Sequence, residues 1–246
     1  MTAVDAVVPT LAHGGPWVLA MGWHDLLFAH WRVPWEVVRG QIPAVLEIDE
    51  FEGEAWLGVV PFRMSGVRPR FAPSMPGLSW FPELNLRTYV RHEGRAGVWF
   101  FSLDAASRVA VRLARATFHL PYFDARMSCR QADGGGVEYE SVRIHRGAPG
   151  AVFKGSYRPR GPTCASRPGS LAHWLTERYC LYSEDEAGRV YRGDVAHGPW
   201  PLQEAEASLE RCDMTRLLDW ELPGEPPHLL FARDIHVRAS WPVRVA

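Results

Sequence analysis

The chain has 246 residues and a mass of 27.7 kDa, enough for one large domain or two small ones at roughly 100–200 residues each. Its 27 basic and 28 acidic residues leave a formal charge of −1, with no basic surplus to attract nucleic acid, and 47% hydrophobic content excludes general disorder. Apolar runs stop far short of the ~20 residues that a membrane helix needs, and the first basic residue is Arg32, so no positively charged leader is expected. The expectation is a soluble, cytoplasmic globular protein that partners neither membrane nor nucleic acid.

In chain order, residues 1–16 lack a steady period and end in Gly-Gly-Pro, which predicts an N-terminal arm. Pro34 suits the first turn of a short helix within Trp35–Leu46, limited by Pro43. Residues 54–64 are apolar and β-rich, hence a strand, and the proline-punctuated stretch 68–76 reads as a loop. Residues 83–90 (ELNLRTYV) alternate, with Leu84, Leu86, Thr88 and Val90 on one face and Glu83, Asn85, Arg87 and Tyr89 on the other. A Glu93-Gly94 turn leads into a second strand, 97–103, and Asp104 reads as the N-cap of a helix over 105–117.

Beyond Pro121 strands dominate: 125–131 and 137–146 around Asp133–Gly136, then 151–158. Pro159–Gly169 reads as a connection and the best place for an internal boundary within a single domain. Ser170 caps a short helix through Glu177, strands near 178–183 and 189–196 follow, 203–219 reads as helical or irregular, and 229–239 as a closing strand. The class is mainly β, with a few short helices and no doubly wound alternation.

Chemical signals are sparse. Of the basic residues only Lys154 is a lysine, so an amine nucleophile has a single side-chain candidate. Eleven Trp, seven Tyr and eleven Phe suit a core or an apolar ligand pocket. The four cysteines form no CxxC, the histidines no HExxH, and no GxGxxG, GxxxxGK or GxSxG occurs, so neither a metal nor a cofactor is expected. The richest polar grouping is the Glu83, Asn85, Arg87, Tyr89 face. Turned inward it presents a carboxyl, an amide, a guanidinium and a phenol together; turned outward it is the ordinary wet face of a sheet.

Several strings carry a family resemblance: His30-Trp-Arg-Val-Pro-Trp-Glu36, Ile42-Pro43, Leu46-Glu-Ile-Asp49, Ala55-Trp-Leu-Gly-Val-Val-Pro-Phe62, Glu83-Leu-Asn-Leu-Arg-Thr-Tyr-Val90, Gly97-Val-Trp-Phe-Phe-Ser-Leu-Asp104, Leu120-Pro-Tyr122, Glu177-Arg-Tyr179 and His197-Gly-Pro-Trp-Pro-Leu202. Together they resemble the YqjF-like proteins of domain-of-unknown-function family 2071, over about residues 22 to 240. That family is grouped with the acetoacetate decarboxylase-like superfamily, so the resemblance implies a curved or barrel-like antiparallel sheet around a small-molecule cavity. The decarboxylase uses a Schiff-base lysine beside an arginine and glutamates. Arg32 matches the arginine and Glu83 the glutamate, but Tyr122 stands where the lysine belongs, and a phenol forms no imine.

Three readings stay open. The first is a lyase, hydratase or isomerase-like enzyme for a small carboxylated or carbonyl metabolite. Glu83 and Tyr122 would be its catalytic groups, and Arg32, Arg87, Asn85 and His119 would bind substrate. The second is a non-catalytic small-molecule binder or sensor. The third makes the arginines and Glu83, Asp104 and Asp124 a structural ion-pair network. A small molecule is the expected partner, and self-association is left open.

Overall fold

The computed structural model describes Leu11 and residues 15–75, 79–224 and 227–246; the expected arm at 1–16 lies almost wholly outside them. The elements are β1 (Leu19–Val33), α1 (Trp35–Arg39), β2 (Glu47–Ile48), β3 (Ala55–Pro69), β4 (Phe81–His92), β5 (Arg95–Ala105), α2 (Arg108–Phe118), β6 (Tyr122–Ala132), β7 (Gly136–Arg143) and β8 (Val152–Cys164). They continue as α3 (Leu171–Thr176), β9 (Cys180–Glu184), β10 (Val190–His197), β11 (Leu202–Cys212), β12 (His228–Ala239) and β13 (Val243–Arg244). No helix among the described residues is long and apolar enough to cross a membrane.

All strands belong to one curved sheet, ordered β13-β10-β9-β5-β6-β7-β8-β11-β12-β1-β3-β4-β2, and two further pairings join its parts. The β4–β5 hairpin closes a larger circuit through β6, β7, β8, β11, β12, β1 and β3. The β10–β12 pairing closes a smaller one through β9, β5, β4, β3 and β1. Pairing is antiparallel except where β5 meets β6 and β9. The run β12-β1-β3-β4-β5 belongs to both circuits and walls them from each other.

The two faces of that wall carry separate cores. Leu27, Ala29, Leu57, Val59, Leu84 and Leu86 pack with Val137, Tyr139, Phe153 and Tyr157 on the larger circuit's side. Phe28, Val60, Phe62, Phe81, Leu103 and Tyr122 pack with Trp200, Leu230 and Ile235 on the smaller circuit's side. Successive residues point to opposite faces, so strands covered on both sides are apolar almost throughout, as in β1 (LAMGWHDLLFAHWRV). Glu93 and Gly94 both have positive φ, 48° and 75°, the geometry a two-residue hairpin needs.

Four sequence readings change. Asp104 is not a cap: it lies inside β5, and Ser107 caps α2 by accepting from the Ala110 N–H. Residues 202–212 form β11, because pairing with β8 and β12 outweighs the helix preference of its Glu and Ala residues. β3 runs on to Pro69, into the stretch read as loop, held by the Leu19↔Pro69 register. β8 runs through Pro159 and Pro162 to Cys164, so the first part of the expected connection is strand and only residues 165–169 are loop. Its pairing with β7 ends at Tyr157, leaving one side of the later residues without a ladder that a proline could break.

Where the wall meets β9, Gly97 passes Cys180 so closely that an added Cβ would lie 2.8 Å from the Cys180 carbonyl and 2.7 Å from its Sγ. Gly97→Ala is expected to lower the unfolding free energy by about 1–3 kcal/mol, whereas Gly40→Ala, where nothing lies within 4 Å, is expected to be neutral or stabilising. Urea unfolding of the two variants tests this; equal midpoints would refute the tight crossing.

Candidate active site

β4 has β3 on one edge and β5 on the other, so its polar row cannot sit at a sheet edge. The row faces the smaller circuit and is not the wet face of the sheet: Glu83 is 2% exposed, Asn85 5% and Tyr89 0%. Tyr122 reaches the same side from β6, where Leu103 of β5 is its register partner. β5 therefore lies between the two site strands, and across it the Tyr122 hydroxyl donates to Glu83 Oε2 at 2.9 Å, both groups buried. From the opposite side of the wall the Tyr139 hydroxyl donates to the carbonyls of Glu83 at 2.7 Å and Phe62 at 3.1 Å, fixing the backbone from which the Glu83 side chain projects.

Burial pushes the Glu83 carboxyl up to about 8; the Tyr122 bond pulls against this and the nearby Asp104 charge adds to it. Burial, with the Glu83 charge beside it, likewise holds the Tyr122 phenol well above its usual range. At neutral pH the pair is thus a neutral carboxylic acid against a neutral phenol, out of bulk water. Asp104 faces the larger circuit. Burial moves it up to about 6 against the pull of Arg143, whose Nε donates to it at 2.9 Å.

Farther along the row, His30, Gly58 and Arg87 are register partners on β1, β3 and β4. A Cβ on Gly58 would meet the His30 ring at 3.1 Å and the Arg87 stem at 3.3 Å, so the glycine lets both side chains converge over it. His30 Nε2 hydrogen-bonds the Tyr89 hydroxyl at 2.7 Å, and Arg87 donates to the Leu175 carbonyl at 3.3 Å. Burial drives the His30 ring well below its usual pKa, with the Arg87 charge acting in the same direction, so it is neutral. Asn85 Oδ1, Arg87 Nε and His30 Nδ1 are buried with no protein partner, three polar atoms that a polar ligand could satisfy. Phe28 and Trp200, edge to face at 4.9 Å, supply apolar cover, and the Arg87 guanidinium lies 5.4 Å over Phe28.

The fold gathers Glu83, Asn85, Arg87 and Tyr122 on this side, leaves Arg32 at its solvent-exposed end and places His119 elsewhere. Arg32 is exposed, 5.7 Å over the Trp56 ring near the end of β1, because its long charged stem reaches solvent there. His119 is the left-handed residue ending α2, φ 53°, which turns its ring onto Tyr191 at 4.7 Å beside an open surface groove. Lys154, half exposed on β8, is paired to Glu210 at 2.5 Å and cannot serve as an interior amine. His30 and Tyr139 escaped the sequence reading. The signals for His30 were its shared face with Arg32, two residues on, and a glycine inside an apolar strand opposite it.

A mixed parallel and antiparallel sheet that closes two circuits, with the polar row of β4 facing inward, has the fold of acetoacetate decarboxylase-like proteins. The DUF2071 family, described as an uncharacterized conserved protein, matches residues 20–236, and the chain belongs to it. It is 42% identical over 230 residues to the uncharacterized protein YqjF of Bacillus subtilis (strain 168), covering 94% of this chain and 93% of that one. Among solved structures, the enduracididine biosynthesis enzyme MppR with HEPES bound superposes with a TM-score of 0.65 at 12% identity, covering 94% of this chain and 89% of that one. An acetoacetate decarboxylase-like enzyme from Sphingomonas wittichii RW1 gives 0.63 at 12% identity, with 94% of each chain covered. These likenesses establish the fold.

The raised Glu83 carboxyl makes a stability prediction. Between the unfolded value near 4.5 and the folded value near 8, the folded state holds one proton more than the unfolded state. Glu83 therefore contributes its full stability below pH 4.5, and that contribution is lost as pH rises toward 8, by up to about 1.4 kcal/mol per pH unit. Relative to wild type, Glu83→Gln is expected to gain stability steadily from pH 5 to 8 in urea titrations. Parallel pH profiles would show that Glu83 is already ionised in the folded protein.

Proposed function

We propose that the protein is an enzyme acting on a small carboxylated or carbonyl metabolite by acid–base chemistry, without an imine. The observation that carries this is the buried Glu83–Tyr122 pair, with a carboxyl that is protonated at neutral pH and a phenol that can donate. A site built to move protons needs a group whose pKa lies near the working pH, and Glu83 meets that condition. Glu83 exchanges a proton with substrate carbon or oxygen, and the Tyr122 hydroxyl donates to the oxyanion that develops next to it. Arg87, with its Nε unpartnered, takes the substrate carboxylate, and Asn85 between them orients the body of the molecule.

The only lysine, Lys154, is on the surface, so a Schiff base has no side-chain nucleophile inside. MppR has been solved complexed with pyruvate, and it shares this fold with a TM-score of 0.61. A short 2-keto acid is accordingly the substrate class to try first. The aromatic cover from Phe28 and Trp200 also suits a binder that does no chemistry, and the same assay separates the two.

Proton exchange at C3 of pyruvate and related keto acids in D2O, followed by NMR, tests the proposal. Wild type is expected to catalyse deuterium incorporation, Glu83→Gln to lower the rate by about 10²–10⁴ and Tyr122→Phe by about 10² or more. Binding without exchange would identify a binder. Exchange unaffected by Glu83→Gln would remove Glu83 from the chemistry.

A further inference from the structure

The charges on α2 are all of one sign. Arg108, Arg112 and Arg115 recur at the spacing of one helix face, and the helix (RVAVRLARATF) carries no acidic residue. Arg108 sits in the first turn, where the N–H groups already present positive potential and an acidic residue is favoured. Like charges four residues apart repel. Broken local rules of this kind, only partly compensated by neighbours, are what a binding site leaves in a sequence.

The tertiary structure concentrates the charge further. His145 and Arg146, following β7, close a concavity of about 470 Å³ with Arg108, Arg112, Arg115 and Asp124. Asp124 is its one acid and is committed to Arg112, accepting at 2.8 and 3.3 Å. His145 Nδ1 accepts from the Asp124 backbone N–H at 3.2 Å and lies 3.3 Å from the Asp124 carboxylate. Arg115 donates to the Tyr122 carbonyl at 2.8 Å. Arg108 and Arg146 are exposed, and no hydrogen bond or ion pair holds either of them among the described residues. Four guanidinium groups thus face one carboxylate. Arg112 and Arg115 also line the neighbouring open groove of about 1020 Å³, where Pro121, Phe123 and Leu218 offer an apolar floor.

We propose that this concavity is a binding site for a phosphomonoester, its dianion held by Arg108, Arg112 and Arg146 and its apolar body lying over Phe123. Planar guanidinium forks match phosphoryl oxygens in pairs, which suits a cluster of arginines of which the single carboxylate holds only Arg112. The site is concave and holds one anion. Glu184, Asp185 and Glu186 on the far part of the same groove would repel a chain of phosphates, which disfavours nucleic acid, and a flat bilayer could not enter it. The proposal stands apart from the Glu83–Tyr122 chemistry.

Calorimetric titration of the full chain with inorganic phosphate and with phenyl phosphate, at ionic strength held constant with NaCl, tests it. One saturable site is expected, severalfold tighter for phenyl phosphate than for phosphate. Arg108→Ala combined with Arg146→Ala should weaken both ligands by roughly tenfold or more. Arg146 has no hydrogen bond or ion pair to lose and Arg108 acts on Asp124 only at a distance, while Arg112 still holds that carboxylate, so the melting temperature of the ligand-free double variant should stay close to that of wild type. Absence of saturation at millimolar ligand, unchanged binding by the double variant, or binding of phosphatidylserine vesicles or duplex DNA in place of phenyl phosphate would each overturn the proposal.

Discussion

The wall formed by β12, β1, β3, β4 and β5 has neighbours on both edges of each strand and a core on both faces, and the rest of the molecule is arranged around that constraint. The middle of a sheet in this position offers water neither its backbone nor its side chains. Its hydrogen-bonding groups must be satisfied within the ladders, and its side chains must be apolar or matched one by one. The closing pairings β4–β5 and β10–β12 convert what would be open edges into the seams of the two circuits.

The buried carboxyls of that wall have their chemistry set by their protein neighbours. Leu84 and Asp104 are register partners, so Glu83 and Asp104 lie close together on opposite faces of the β4–β5 hairpin. Burial raises both. Asp104 meets a guanidinium and remains an ionised structural partner at neutral pH, while Glu83 meets only a phenol and keeps its proton. Two neighbouring buried carboxyls on opposite faces of one hairpin are thereby given different roles by the charge of one partner each. The same division separates ordinary struts, such as Asp49 between Arg91 and Arg178, from the row that retains unpartnered polar atoms.

Local patterns were legible where one face decided the outcome. The alternation over 83–90 placed Glu83, Asn85, Arg87 and Tyr89 together, Ser170 capped its helix, and the Glu93-Gly94 turn joined β4 to β5. Patterns failed where tertiary pairing overrode local preference. Residues 202–212 contain good helix formers, yet they complete the ladder between β8 and β12. β1 escaped assignment altogether, since a strand buried on both faces has no period to detect. Asp104 has the residue type of a cap, and only the position of Arg143 reveals it as half of a buried pair.

The sequence by itself determined the mainly β class, the family, the polar face of β4 and the lack of a lysine near the decarboxylase position. Each of these depends on residue identity or on spacing within a few positions. Tertiary structure alone decided that the polar face turns inward, that Tyr122 meets Glu83 across β5, that Arg32 lies at the solvent-exposed end of that side and His119 apart from it, and that Gly58 makes room for His30. These outcomes depend on which strands become neighbours, and strand neighbours here are separated by tens to hundreds of residues, as with the pairing of β1 to β12. A period-2 pattern specifies two faces but carries no information about what covers either one.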